Sequence, residues 1–355
     1  MSMVKLLAVG DISLQTRYDK HPFDKVKEIF KNKDILFGNL ETVLSNQGEE
    51  VEKAFLLYSP PEKISYLRNA GFDVLNIANN HIMDLGLEGF HNTLKTLRRE
   101  GLTFIGATNK PKESYLILKK REIRLGFLGY TEGGFSLPES NMWVNKLEPV
   151  NIIRDIEFIK RQCDFVVISL HWGIENVFYP SPKQVNLAHG LIDAGATIIL
   201  GHHPHVIQGI ERYRHGLIAY SLGNFQFEFD LEKYQDRRTN HSVILLLKIG
   251  KDGLKAHDII PIKIDKDLVP YPANIKEGER MGSFISEISR SLNRMTATQW
   301  FEEISEAYLL GNVESWIIRI RKYGIRHLLQ CIRWLVSPFV IRCYAGFLAR
   351  KLRGR

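Results

Sequence analysis

The sequence predicts an α/β fold followed by a C-terminal helical region, and three observations support this prediction. Short apolar, β-rich runs alternate with stretches of helical spacing as far as about residue 265. Several of these runs end in a carboxylate, amide or imidazole side chain, as in α/β proteins that bind ligands beyond the carboxyl ends of their strands. A polar bridge after residue 265 then precedes a helical pattern, and it contains the helix and strand breakers Pro270, Pro272, Gly278 and Gly282. We therefore predict a main domain over 1–270 and a helical region over 280–355.

The individual elements follow from hydrophobic periodicity and from the residues that begin or end them. The predicted strands are Val4–Val9, Ile35–Phe37, Val74–Ala78, Tyr115–Leu118, Ile123–Leu128, Phe165–Leu170, Thr197–Leu200, Leu217–Leu222, Ser242–Ile249 and His257–Ile264. Tyr115–Leu128 is predicted to be a hairpin. The last three strands are predicted to be antiparallel, with a turn at Asp252-Gly253. The predicted helices are Phe23–Lys31, Pro60–Ala70, Leu87–Arg99, Ile152–Arg161 and Gln184–Ala194.

The composition is that of an ordered protein in a reducing compartment. Hydrophobic residues make up 44% of the 355 residues, aromatic residues 10% and charged residues 25%, which excludes a disordered chain. Cys163, Cys331 and Cys343 form no CxxC pair, so neither a disulfide framework nor a cysteine metal site is predicted. The N-terminal apolar run is too short for a signal-peptide core, and no stretch reaches the roughly 18 apolar residues of a membrane span. The sequence therefore predicts a cytoplasmic protein.

Five of the strand-like runs end in residue types that bind metals or take part in catalysis. These residues are Asp11, Glu41, the pair Asn80-His81, His171, and His203 with His205. Neighbouring parallel strands place their carboxyl ends at one edge of a sheet, so these distant positions are expected to meet in one pocket. Carboxylate, amide and imidazole ligands together suit Mn, Fe or Zn. Two carboxylates with several histidines indicate a site for one or two divalent ions.

Each of these residues has a simpler explanation when it is taken alone. Asp11 is compatible with a turn or a helix cap, and His171 with a histidine of the core. The run from His202 to His205 is compatible with a turn, because Pro204 fixes its own φ and disfavours helix at His203. Turn chemistry does not explain why the residues at the strand ends repeatedly match metal ligands. A metal site is therefore the favoured interpretation.

The same residues lie in motifs that resemble a known family. The motifs are GD near the N-terminus, FGNLET, NIANNHIMDLG, LHWGIE, LIDAGATIILGHHPHVIQGIE and YSLGNF. In this order, from about Lys5 to Phe227, the chain resembles the capsule-biosynthesis CapA family, also called the poly-γ-glutamate synthesis family. That family is similar to the calcineurin-like metallophosphoesterases. The resemblance implies a four-layer αββα double β-sandwich, to which the helical C-terminal region would be an appendage.

The resemblance also implies roles for individual residues. His81 resembles the catalytic histidine, and Glu41 occupies the position of the carboxylate that bridges two metals. The implied metal ligands are Asp11, Glu41, Asn80, His171, His203 and His205. Two positions depart from the phosphoesterase pattern: the usual Asp-x-His is Asp11-Ile12-Ser13, and Glu41 replaces an aspartate. Further polar residues are candidates for orienting the ligands: Asp84, Glu175, His202 and Asn224. Asp84 and Glu175 are equally compatible with solvated loop carboxylates.

These roles predict a metal-dependent hydrolase-like protein in the synthesis of a capsule or other cell-surface polymer. A metallophosphoesterase-like enzyme would cleave a phosphoester, or an amide or ester, in a phosphorylated or acylated substrate or polymer precursor. The alternative is a non-catalytic assembly or regulatory subunit of a membrane-associated polymer synthesis system. The departure at Ser13 favours the alternative, whereas the otherwise complete ligand set with His81 favours the enzyme.

The C-terminal segment 317–355 carries ten Lys and Arg residues and no Asp or Glu, whereas the rest of the chain is almost balanced in charge. From Ile325 to Leu348 its apolar residues follow helical spacing, and Pro338 is expected to kink or split the helix. One interpretation is a helix that packs its apolar stripe on the main domain. Another is an anchor at the anionic inner surface of a membrane. Nucleic-acid binding is not expected, because no recognised nucleic-acid module accompanies the basic charge.

Overall fold

The computed structural model describes residues 3–15, 21–109, 115–133, 142–227 and 238–353. The described strands are β1 (Val4–Ile12), β2 (Ile35–Leu40), β3 (Val43–Leu44), β4 (Tyr58–Ser59), β5 (Val74–Asn76), β6 (Thr103–Ile105), β7 (Ala107–Thr108), β8 (Tyr115–Lys120), β9 (Ile123–Thr131), β10 (Trp143–Val144), β11 (Phe165–His171), β12 (Ile198–His202), β13 (Ile210–Tyr213), β14 (Gly216–Ala219), β15 (Asn224–Gln226), β16 (His241–Gly250), β17 (Gly253–Ile264) and β18 (Pro270–Pro272).

The described helices are α1 (Lys27–Phe30), α2 (Ile64–Ala70), α3 (Gly86–Arg99), α4 (Pro149–Ile159), α5 (Pro182–Ala194), α6 (Ile275–Ser291), α7 (Ala297–Tyr323), α8 (Arg326–Leu335) and α9 (Pro338–Leu352). Short 3₁₀ helices at Asp24–Val26 and Pro61–Lys63 precede α1 and α2. The predicted helices of the main domain are therefore present, two of them with a 3₁₀ first turn.

Two large β-sheets form the centre of the protein. The first has eight strands in the order β18-β17-β16-β1-β2-β5-β6, and β15 also pairs with β1. The second has six strands in the order β13-β14-β12-β11-β9-β8. In both sheets the central strands are parallel: β1, β2, β5 and β6 in the first, and β9, β11, β12 and β14 in the second. Their carboxyl ends carry the predicted site residues.

The alternation of side chains along β1 shows why the layers stack as they do. Val4, Leu6 and Ala8 belong to a buried cluster that also contains residues of the second sheet, such as Phe127 and Leu200. Leu7 and Val9 point the other way, into a cluster formed with helices α2 and α3. Strands that are apolar on both faces need cover on both faces, so the first sheet lies between helices and the second sheet.

The second sheet is covered in the same way on its outer face. Helices α4 and α5 pack there through Ile152, Ile156, Leu191 and Ile192, together with the indole of Trp172. The order of layers is therefore helix, sheet, sheet, helix. The αββα double β-sandwich that the resemblance implied is confirmed.

One strand prediction is wrong. Leu217–Leu222 was expected to be antiparallel to the strands that follow it, but β14 lies in the second sheet and runs parallel to β12. Its antiparallel neighbour is β13, from the preceding segment. The pairing of β16 with β17 is antiparallel with a turn at Asp252-Gly253, as predicted. Periodicity identifies a strand, but it carries no information about which of two stacked sheets the strand joins.

The C-terminal helices form a separate cluster beside the main domain. Trp300, Ile304 and Val340 pack together with Val177, which belongs to the loop after β11. The preceding helix, α6, instead places Met281 and Ile285 in the cluster between the sheets. Helix α7 begins at a capping box, in which Thr296 and Gln299 each satisfy a backbone N–H at the helix start. The domain boundary between 270 and 280 stays a prediction.

Candidate metal centre

The carboxyl ends of β1, β2, β11 and β12 bring the predicted site residues together. Asp11 lies at the end of β1, Glu41 directly follows β2, and His171 ends β11. At the end of β1, the backbone of Gly10 packs directly on the turn at Gly223, where a Cβ on Gly10 would lie 1.8 Å from the carbonyl oxygen. Asp11 and Glu41 belong to the first sheet and His171 to the second, so side chains from both sheets share one buried space.

Asp11 is fully buried and contacts the histidine loop directly. Its Oδ2 accepts a hydrogen bond of 3.1 Å from the backbone N–H of His203, and its Oδ1 accepts one of 2.9 Å from the Asn39 amide. His202 Nδ1 lies 3.3 Å from Oδ1, and His205 Nδ1 lies 3.5 Å from Oδ2. Burial alone raises the pKa of Asp11, but the contacts with His202, His205 and the His203 N–H outweigh it and hold the pKa below its ordinary value. Asp11 is therefore an ionised ligand candidate.

Glu41 is a fully buried carboxylate. Neither carboxylate oxygen has a hydrogen-bond partner among the described residues, although the side chain is fully buried. Its Oε1 lies 3.4 Å from His171 Nε2 and 3.9 Å from both His81 Nε2 and His205 Nε2. Burial, followed by repulsion from Asp11, Glu175 and Asp84, raises its pKa well above the ordinary value. Buried charges are normally paired or bound to metal, so this environment fits a cation next to Glu41.

His171 and Asn80 meet on the other side of Glu41. His171 Nε2 lies 2.8 Å from the Asn80 side-chain oxygen, and His171 Nδ1 lies 3.2 Å from the amide nitrogen of Asn39. Asn39 is held in turn by Asn76, which donates a 2.8 Å hydrogen bond to its side-chain oxygen. Burial and the neighbouring histidines lower the pKa of His171 well below its ordinary value. The ring is therefore neutral, which is the form that binds metal.

The loop after β12 holds His203 and His205 in an unusual backbone conformation. Their φ angles are 92° and 59°, in the left-handed region that non-glycine residues rarely adopt. Such residues are retained where surrounding structure enforces them, and they concentrate at functional sites. His205 Nδ1 also lies 2.9 Å from the Asn224 side-chain oxygen, whereas His203 Nδ1 is buried without a hydrogen-bond partner among the described residues. Burial lowers the pKa of His203 to about 4, so it is a neutral ligand candidate.

His81 is oriented by a buried chain of polar contacts. Its Nδ1 lies 2.5 Å from Asp84 Oδ2, and the same oxygen accepts a 2.7 Å hydrogen bond from the backbone N–H of Leu57. The other oxygen of Asp84 forms a 2.7 Å ion pair with Lys53, whose ammonium group also donates to the carbonyl of Asn80. Because Asp84 accepts at Nδ1, His81 presents Nε2 to the space beside Glu41.

Lys53 supplies the positive charge that the buried Asp84 needs. We expect Lys53→Met to lower the free energy of unfolding by roughly 3 kcal/mol, because it removes one partner of a buried ion pair. Lys31→Met is the matched control: Lys31 pairs with Glu28 at 2.6 Å, but the two side chains are 62% and 80% exposed. It should change stability by less than about 0.5 kcal/mol in urea unfolding. Equal effects of the two substitutions would contradict the role given to Lys53.

Among the described residues, three groups of side chains could hold metal, and two of these groups share Glu41. Glu41, His171 and His203 make one group, and Asp11, Glu41 and His205 make the other, with the ligand atoms of each group within 4.8 Å of one another. A third group joins Glu175 to His203 and His205. Carboxylate and imidazole donors in this arrangement fit borderline divalent ions, and a shared carboxylate is typical of two-metal sites.

The candidate centre opens into a cleft of about 1060 Å³. One wall is formed by segment 53–58, another by the loop at Gly173–Asn176, and a third by α7. Helix α7 faces the cleft through Tyr308, Asn312, Ser315 and Arg319, which recur every three or four residues along one side of the helix. The cleft is larger than a site for a single small anion.

A sequence family described as bacterial capsule synthesis protein PGA_cap matches residues 5–228. The chain belongs to this family. The PGA biosynthesis protein CapA of Bacillus subtilis (strain 168) is 32% identical over 279 residues, which cover 76% of this chain and 72% of that protein. The capsule biosynthesis protein CapA of Bacillus anthracis is 33% identical over 279 residues, which cover 73% of this chain and 67% of that protein.

Among solved structures, a hypothetical protein from Thermus thermophilus has a TM-score of 0.48 and 16% identity, over 73% of this chain and 99% of that chain. A putative 5'-nucleotidase from Staphylococcus aureus also has a TM-score of 0.48, with 12% identity, over 81% of this chain and 58% of that chain.

In this PGA_cap protein the serine of the first motif has nearby hydrogen-bond partners. The hydroxyl of Ser13 accepts a hydrogen bond of 3.4 Å from the backbone N–H of Gln15, and its carbonyl accepts one of 3.1 Å from the hydroxyl of Ser59. His202, one of the candidates for orienting the ligands, is fully buried beside Asp11 and the Phe37 ring. It contacts the Asp11 carboxylate from the interior of the sandwich.

The candidates for orienting ligands differ in what they contact. Asp84 holds His81, and Asn224 contacts His205, whereas Glu175 is near His203 and His205 and not beside His171. Sequence reasoning missed two residues, Asn39 and Lys53. Asn39 is a polar residue inside the apolar run of β2, which is a signal that the sequence does contain. Lys53 follows a glutamate-rich stretch of a loop, and nothing in its surroundings marks it.

Proposed function

We propose that this PGA_cap protein is a metal-dependent hydrolase in the synthesis of a capsule or other cell-surface polymer. The observation that supports it most strongly is the carboxylate of Glu41, buried and without a hydrogen-bond donor among the described residues. Three imidazoles lie within 4 Å of its Oε1, and the pKa of Glu41 is raised by burial. Burying this carboxylate without a partner would lower the free energy of unfolding, whereas a bound cation would compensate its charge.

One or two divalent ions, of Mn, Fe or Zn, suit the donors. His171, His203 and Asn80 would hold one ion, Asp11 and His205 the other, with Glu41 shared between them. Such ions supply Lewis-acid activation of water and of the scissile group. Bacillus relatives named for capsule and PGA biosynthesis support the cellular process.

His81 is the proposed proton-transfer residue. Its Nδ1 is engaged by Asp84, and its Nε2 is 3.9 Å from Glu41 Oε1 and lines the cleft. Nε2 would exchange a proton with the leaving group or hydrogen-bond to charge that develops on it. Asp84 keeps the ring in this orientation through its contact with Nδ1, and Lys53 holds Asp84 in place.

The size of the cleft and the position of Arg319 favour a substrate that is anionic and longer than a small metabolite. Arg319 lines the cleft from α7. Among the described residues, its Nε is buried without a hydrogen-bond partner and no carboxylate forms an ion pair with it. Burial lowers the pKa of the Arg319 guanidinium, which remains a cation. A phosphorylated or acylated polymer precursor would match this wall, with its phosphate or carboxylate groups near Arg319.

We place the protein in the cytoplasm, at or near the membrane. All three cysteines are free, which fits a reducing compartment. Among the described residues, no single helix is long and apolar enough to cross a membrane. One bent pair of helices, α8 with α9, passes that test together by length and composition.

The test is a hydrolysis assay coupled to metal analysis. Protein stripped with chelator and reloaded separately with Mn²⁺, Fe²⁺ or Zn²⁺ is offered phosphodiester, phosphomonoester and γ-glutamyl amide substrates. We expect bound metal by mass spectrometry, and turnover of one substrate class only in the reloaded samples. Metal binding without turnover of any class would favour the second candidate, a non-catalytic assembly or regulatory subunit. The observation that favours that candidate is Ser13, where phosphoesterases have an imidazole.

A further inference from the structure

The C-terminal helices expose an unusual amount of apolar surface. Twelve of the twenty large hydrophobic residues that are exposed among the described residues fall between 310 and 352. We call these the outer face, and they are Leu310, Val313, Ile317, Ile325, Leu328, Leu329, Ile332, Val336, Ile341, Tyr344, Leu348 and Leu352. Exposed apolar residues concentrated in this way are typical of an interaction surface.

The exposed residues form stripes along each helix. On α8, Leu328, Leu329 and Ile332 recur at helical spacing and point to solvent, and the preceding Ile325 and following Val336 continue the stripe. On α9, Ile341, Tyr344, Leu348 and Leu352 do the same. An amphipathic helix normally packs its apolar stripe on the protein, so stripes that point outward need another partner.

The opposite sides of the same helices are fixed to the protein. Trp334 of α8 donates a 3.1 Å hydrogen bond to the hydroxyl of Tyr308 on α7. Val340 and Cys343 of α9 are fully buried, and Gly346 packs so closely that a Cβ would lie 2.5 Å from the Phe301 carbonyl oxygen. Because one side of each helix is occupied by protein, the pair is suited to lie on a bilayer and not to cross it.

Basic residues flank the outer face. Within 317–353, Arg321, Arg333 and Arg342 are exposed, and no described carboxylate forms an ion pair with them. The segment 317–355 contains no acidic residue, and its tenth cation, Arg355, lies outside the described residues. Exposed apolar stripes bordered by arginines of this kind complement a lipid surface with anionic head groups.

We propose that the outer face docks this protein on the surface of an anionic membrane. Helices α8 and α9 lie parallel to the bilayer, their apolar stripes enter the head-group boundary, and the flanking arginines contact lipid phosphates. Helix α7 joins the docked surface through Leu310, Val313 and Ile317, on the side opposite to the residues that line the cleft. The cleft therefore opens within one helix diameter of the lipid surface, about 10 Å.

The experiment is flotation of the full chain with vesicles of phosphatidylcholine, with and without phosphatidylglycerol. We expect binding to the anionic vesicles only, weakened by salt, because screening reduces the contribution of the arginines. The double substitution Leu329→Asp and Ile332→Asp should weaken binding by at least about tenfold. These side chains are exposed, so circular dichroism should show an unchanged fold. The matched control is Val150→Asp with Phe158→Asp, which changes two exposed apolar residues on α4 and should bind as wild type.

Three outcomes would overturn the proposal. One is absence of binding to both vesicle types. Another is a dimer in sedimentation analysis that the L329D/I332D variant dissociates, without vesicle binding, because the outer face would then bind a second copy of the chain. The third is retention in the bilayer after an alkaline wash, which indicates insertion and not surface docking. None of these measurements uses substrate, so the proposal is tested independently of the proposed hydrolase activity.

Discussion

Glu41→Gln is expected to stabilise the metal-free protein and to destabilise the metal-loaded one. Without metal, the substitution removes a buried carboxylate that has no donor among the described residues, so the free energy of unfolding should rise on the order of 2 kcal/mol. With metal, the wild type gains about 2.7 kcal/mol per site at a hundredfold excess over Kd, and the variant loses most of this gain. Thermal unfolding with chelator and with Mn²⁺ measures both.

In the metal-free state, the stability of the wild type relative to Glu41→Gln should fall as pH rises. The pKa of Glu41 is raised by burial in the folded protein above its ordinary value of 4.5. At low pH the Glu41 carboxyl is protonated in both the folded and the unfolded protein, so the wild type and Glu41→Gln should have similar free energies of unfolding. As pH rises above 4.5, only the unfolded wild type ionises freely, so the wild type loses stability relative to Glu41→Gln until the folded-state pKa is passed.

The control for this prediction is Glu122→Gln, at an exposed position in the turn between β8 and β9. It should change stability by less than about 0.5 kcal/mol with or without metal. Equal destabilisation by Glu41→Gln in both conditions would show that the carboxylate has a protein partner, and the argument for a cation at this position would fail.

His81→Ala is expected to remove turnover while leaving metal content nearly unchanged. The loss of proton transfer should lower kcat by about 10²- to 10⁴-fold. Metal should remain because His81 is in none of the groups that could hold metal among the described residues. Assay of a phosphodiester with the reloaded enzyme, alongside mass spectrometry of bound metal, separates the two effects.

Two further substitutions make the result interpretable. His203→Ala should lose metal and activity together, because His203 belongs to the groups that could hold metal. His91→Ala, at an exposed histidine of α3, should change neither. Full activity of His81→Ala on the true substrate would show that the role given to His81 is wrong.

The sequence predicted the fold class because most elements are strongly periodic and end at clear signals. Gly71 ends α2 with a left-handed φ of 80°, and Gly195 follows α5 as expected. The strand β14 was misassigned because its partner is chosen by the stacking of two sheets, which local pattern does not contain. The layered arrangement itself came from the resemblance and not from periodicity.

The convergence of Asp11, Glu41, His171 and the histidine loop was also predictable, because parallel strands place their ends at one edge. What could not be predicted was the network beneath them. Lys53 reaches Asp84 from a loop 31 positions earlier in the chain. Asn39 contacts His171 across the two sheets, at a separation of 132 positions. Contacts of this kind depend on the packing of the whole sandwich. The sequence marks Asn39 as a polar residue within β2, but it does not identify the side chain that Asn39 contacts.

Helix α7 is shared between two surfaces, since one side lines the cleft and the opposite side is apolar and exposed. Under the proposed docking, a ligand beside Arg319 and a bilayer that takes up Ile317 would therefore act on the same helix. Thermodynamic reciprocity then applies: any factor by which the membrane changes ligand affinity is the factor by which the ligand changes membrane affinity. Under the proposed docking, the lipid surface would be an effector of ligand binding in the cleft, and an occupied cleft would change the affinity of the protein for that surface by the same factor.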